Sequence, residues 1–177
     1  MLASQRSAAQ AFISVAGQAE KAPAVLRRQL QGRLPPDLAQ KNEEILKALE
    51  SGGTVSDVPP LLLALYRQSV QPYLISWFRY SPTTEVGKLR IPCLLVQGGT
   101  DIQVGVTDAR ALHAANSGCA LKVIDGMNHV LKRVPPDQQK QIASYGDQSL
   151  PLDPDFVTTL ATFLSSEQVR SAFRAPR

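Results

Sequence analysis

A chain of 177 residues, 44% hydrophobic and 19% charged, is the size of one domain and can bury roughly 70% of the surface its unfolded form would expose. That composition excludes a disordered chain, and no stretch approaches the roughly 20 apolar residues of a membrane span. The net charge of +4 comes from Lys and Arg scattered along the chain, with no dense run and no aromatic interleaving, which argues against a nucleic-acid partner.

In chain order, residues 1–10 read as the tail of a helix, and Ala11–Ala16 as a first buried strand. A long insertion over 18–88 follows, with no strand-like alternation. Leu38, Ile45, Leu46 and Leu49 make the apolar stripe of one helix, stopped at Ser51-Gly52-Gly53. Pro59-Pro60 opens a second helix through Tyr66, and a third runs through Tyr73–Phe78. Cys93–Gln97 is a second strand, nearly all apolar, as expected where helices cover both faces of a parallel sheet. Cys93 is expected there as a buried, inert thiol, and Cys93 and Cys119 make neither a disulfide framework nor a metal site. A helix follows with Thr107 as N-cap and stops at Asn116-Ser117-Gly118; Ala120–Ile124 is the third strand. A last helix opens at Asp153 as cap with Pro154 in its first turn, and Phe156, Leu160, Phe163 and Leu164 form its sheet-facing stripe. Arg170, Arg174 and Arg177 read as a solvated helix end and tail.

Two segments carry the chemistry. The second strand runs into Gln97-Gly98-Gly99-Thr100-Asp101, and the third into Ile124-Asp125-Gly126-Met127-Asn128-His129. With this text, and with strand, helical insertion, strand, helix, strand and closing helix in that order, the chain resembles the C-terminal half of an α/β-hydrolase, in the lid-bearing, esterase-like or lysophospholipase-like branch. The resemblance implies a partial α/β fold: about three parallel strands with flanking helices, and an all-helical lid at 18–88 within a single domain. It also implies Asp101 as the acid and His129 as the base of a hydrolytic triad, acting on an ester with an apolar acyl group and needing no cofactor or metal.

The third member is missing. The fold needs a Gly-x-Ser-x-Gly elbow, a sharp turn that exposes the serine hydroxyl, and none occurs in these residues. The chain is therefore expected to begin inside the helix that follows that elbow, to lack turnover by itself, and to leave its localisation open. Ser4 and Ser7, on a helix, and Ser14, inside a strand, are poor substitutes. A lone Asp or His in such a turn most often serves the turn; the two together, in this order, point to the triad. His113 sits mid-helix and is expected to be structural. Asn128 and Asp125 are expected to support the His129 loop through side-chain to backbone bonds. Tyr73, Trp77 and Phe78 are candidate pocket lining or lid core. A non-catalytic fragment is the alternative, self-associating through the open edge of strand 11–16.

Overall fold

The computed structural model describes residues 9–174. Its elements are β1 (Phe12–Val15), α1 (Ala22–Leu30), α2 (Pro36–Glu50), a 3-10 turn (Pro60–Leu62), α3 (Leu63–Tyr66), α4 (Gln71–Phe78), α5 (Pro82–Gly87), β2 (Cys93–Gly98), α6 (Val106–Ala115), β3 (Ala120–Ile124), α7 (Gln138–Gly146), α8 (Pro154–Leu164) and α9 (Glu167–Arg174). They fall into two compact units, one made of the residues up to Ala19 together with those from Pro82 onward, the other of Glu20–Ser81. The insertion expected over 18–88 contains the whole second unit. Its last helical turn, α5, belongs with the first unit, where Val86 packs beside Leu112 and Leu95.

The first unit holds a parallel sheet of order β1-β2-β3, flanked by helices in an α/β arrangement. β2 is buried along its whole length, and its side chains alternate between two apolar layers, as the pleat dictates. Cys93 and Leu95 pack with Val86, Leu89 and Leu112 on one face. Leu94 and Val96 pack with Ile124, Met127 and Phe156 on the other. Helix α8 covers the second face through Phe156, Leu160 and Phe163, while Leu164, expected on the same stripe, is exposed. Asp153 caps α8 as expected, its carboxylate accepting from the Asp155 amide, with Pro154 in the first turn.

Two further local expectations fail. Helix α6 starts at Val106 with Gly105 at the cap position and no side-chain cap; Thr107 is inside the helix and exposed. The first turn is closed by the backbone bond from Asp108 to the Gly105 carbonyl, and the Asp108 carboxylate instead accepts from the Ala19 amide at 2.9 Å. Cys93 is not a free thiol. It is disulfide-bonded to Cys119, with Cα atoms 4.6 Å apart. The parallel register pairs Leu94 with Ala120, which sets positions 93 and 119 side by side at the entry to their strands.

The second unit has its own core of Ala22, Ile45, Leu46, Leu49, Leu62, Tyr66, Leu74 and Phe78. Its buried polar groups are paired. The Tyr66 hydroxyl donates to Asn42 at 2.7 Å, and the Gln71 amide bonds the Val55 and Tyr66 backbones. Burial pushes the Tyr66 phenol up to about 12. On the surface, Arg27 bridges Glu43 and Glu50; the hydrogen bonds to Glu50 and then Glu43 raise its pKa further, and the Arg27 guanidinium lowers that of Glu43.

Candidate active site

Because all three strands are parallel, the segments leaving β2 and β3 emerge at the same end of the sheet, where strand-end loops gather functional groups. Backbone hydrogen bonds lace these two segments together. The Gly99 amide donates to the Ile124 carbonyl at 2.8 Å and the Thr100 amide to the Met127 carbonyl at 3.1 Å. The Thr100 hydroxyl adds a bond to the same Met127 carbonyl at 3.0 Å.

On this seam, His129 Nδ1 lies 2.8 Å from Asp101 Oδ2. The Asp101 side chain is fully buried and the His129 side chain is 29% exposed. A carboxylate can only accept, so Nδ1 carries the proton and Nε2 is left as the ring's free lone pair when the imidazole is neutral. The other carboxylate oxygen, Oδ1, accepts from the Gln103 amide at 2.8 Å and the Val104 amide at 2.9 Å. Oδ2 also receives the Gln97 side-chain amide at 3.2 Å.

The His129 loop is held as tightly. Asn128, almost fully buried, accepts through Oδ1 from the Val130 and Lys132 amides and donates through Nδ2 to the Ser144 hydroxyl at 2.7 Å. Lys132 ties the loop to α7 through the carbonyls of Ser144 and Asp147. A Met127–Arg133 bridge closes the base of the loop. Leu131 sits at φ +63°, in the left-handed region that non-glycine residues rarely occupy, and such backbone strain clusters at functional loops.

Of the other residues singled out from the sequence, Asp125 is exposed in the turn after β3 and does not join this network. His113 is in α6, away from the strand ends. Ser14 is buried within β1; Ser4, Ser7 and Arg177 lie outside the described residues. In the helical unit, Tyr73 and Trp77 are exposed and stack at 5.8 Å, whereas Phe78 is buried in that unit's core. Sequence reasoning passed over Gln97, Thr100 and Ser144. The signal for Gln97 was a polar side chain closing an otherwise apolar strand; Ser144 gave none. Among the described residues no group of three His, Cys, Asp or Glu side chains is placed to hold a metal ion. No helix of the described residues is long and apolar enough to cross a membrane.

The chain is similar to hydrolases of known structure. An esterase from Rhodococcus sp. is 17% identical at a TM-score of 0.39, over 89% of this chain and 56% of that one. A hydrolase from Pseudomonas aeruginosa is 14% identical at 0.38, over 87% and 55%. A protein from Mycobacterium tuberculosis is 12% identical at 0.42, over 88% and 56%. The chain thus spans little more than half the length of each. Neither a family model nor a curated protein sequence matches it.

Proposed function

We propose that this chain is the acid–base portion of an α/β-hydrolase-type serine hydrolase acting on carboxylic ester bonds. The observation that carries this reading is the 2.8 Å contact between His129 Nδ1 and the buried Asp101 carboxylate at the C-terminal end of a parallel sheet. In that role Asp101 fixes the tautomer and stabilises the imidazolium. His129 Nε2 takes the proton of a nucleophilic hydroxyl and returns it to the leaving alcohol. Asn128 holds the loop that presents the imidazole.

The nucleophile is supplied by polypeptide outside these residues, since no Gly-x-Ser-x-Gly occurs in them and Ser14 is locked in β1. The substrate class proposed with this reading is an ester with an apolar acyl group. A second reading, self-association through residues 11–16, draws on β1 pairing only with β2 among the described residues. A clean monomer in light scattering would count against it.

The coding sequence in frame upstream of Met1 tests the main reading. An elbow motif there, with ester turnover by the longer protein that disappears in His129→Ala, is the expected result. Turnover that survives His129→Ala and Asp101→Asn would remove the pair from the chemistry.

A further inference from the structure

We propose that Gln97 is a positioning residue for the Asp101–His129 pair, its buried side-chain amide clamping the carboxylate oxygen that faces the imidazole. This rests on the reading of Asp101 and His129 as acid and base.

Gln97 is fully buried in the penultimate position of β2. The preceding residues Leu94, Leu95 and Val96 fill the two apolar layers, and an apolar side chain at 97 would fill its volume without any polar group to satisfy. The amide instead faces three acceptors. Nε2 lies 2.8 Å from the Val104 carbonyl, 3.2 Å from Asp101 Oδ2 and 3.3 Å from the Gly98 carbonyl. Rotating the amide by half a turn would put Oε1 against those same oxygens, so the orientation with nitrogen inward is fixed by chemistry. Its cost is visible: Gln97 Oε1 is buried with no hydrogen-bond partner among the described residues, a state that packing alone would not favour.

The contacts form a closed ring. Val104 gives its amide hydrogen to Asp101 Oδ1 and its carbonyl to Gln97, while Gln97 donates to Asp101 Oδ2. Both carboxylate oxygens are therefore held from behind by the β2–α6 segment, and the remaining approach to Oδ2 is taken by His129 Nδ1. Without the Gln97 donor, Oδ2 loses the bond that opposes rotation of the carboxylate away from the imidazole. Outer partners of this kind set the orientation of a ring that acts through its other nitrogen.

The test is nitrogen-resolved NMR of the imidazoles in the purified chain, which has only two histidines. Three proteins are compared: unsubstituted, Asp101→Asn, and Gln97→Met, which keeps length and volume but removes the donor. In the unsubstituted chain, His129 is expected as a single Nδ1–H tautomer with a slowly exchanging, low-field proton. Asp101→Asn should lose that proton signal. Gln97→Met should also lose it or exchange-broaden it, with the backbone amide spectrum otherwise retained. A signal kept in Gln97→Met but lost in Asp101→Asn makes Gln97 a packing residue and overturns the proposal. A signal kept in both removes the acid–base reading beneath it. If Gln97→Met does not fold, the unsubstituted chain decides. Two donors converging on Oδ2 require a nuclear Overhauser contact between the Gln97 amide protons and the His129 Nδ1 proton, and its absence overturns the clamp.

Discussion

Gly98 stands so close to Met127 that a Cβ on Gly98 would lie 2.3 Å from the Met127 carbonyl oxygen and 2.9 Å from its carbonyl carbon. The end of β2 and the segment after β3 are thus in backbone contact, with no room for a side chain between them. Asp101 is three positions beyond this contact and His129 two, so the contact sets the separation of the pair.

Gly98→Ala should therefore destabilise the chain by about 1–3 kcal/mol, the usual range for overpacking against groups that cannot yield. Urea denaturation reads the loss. An unchanged midpoint would mean that the two segments separate more easily than their hydrogen bonds indicate.

The Cys93–Cys119 disulfide closes a loop of 26 residues. On the chain-entropy account, such a crosslink stabilises by about 3–4 kcal/mol, equivalent to roughly 6–15 °C in Tm for a chain of this size. Thermal melts with and without a phosphine reductant should differ by that order. Two thiols titrating in the unreduced, denatured chain would show that the bond does not form.

Tyr66 gives the helical unit an alkaline limit. Its phenol is held at about 12 against 10.0 for an exposed tyrosine, because burial disfavours the anion. The unfolded chain therefore releases its proton first. The stability due to the buried neutral phenol is fully present below pH 10 and is lost as pH rises through 12, by on the order of 2–3 kcal/mol. Urea midpoints followed by far-UV circular dichroism should fall over that window, and the Tyr66→Phe midpoint should fall less steeply. Parallel curves for the two proteins would assign the alkaline loss to other groups.

How much of this was legible in the sequence depended on the range of the interaction. The run Ala120–Ile124 and the Asp153-Pro154 cap are local signals, and the structure has both where the residues put them. The arrival of Asp101 and His129 at one sheet end follows from parallel strands, each leading into its own loop. The disulfide was hidden because residues 93 and 119 become neighbours only through the register of β2 on β3. The fate of the aromatic trio was hidden for a similar reason. On α4, Gln71, Leu74 and Phe78 share the buried face, which turns Tyr73 and Trp77 outward, but sequence alone does not say which stripe meets the core. Thr107 misled because Gly105 and a backbone bond close the first turn of α6, leaving its hydroxyl unused as a cap.

If Asp101 and His129 form an acid–base pair serving a nucleophile that these residues do not contain, the chain has no triad turnover by itself. Hydrolysis of a 4-nitrophenyl acyl ester by the purified chain, set beside His129→Ala, tests it most directly. Loss of the serine from such a unit costs on the order of 10⁶ in rate, so the two proteins should hydrolyse the ester at the same background rate. Robust turnover by the chain, abolished by His129→Ala, would contradict it.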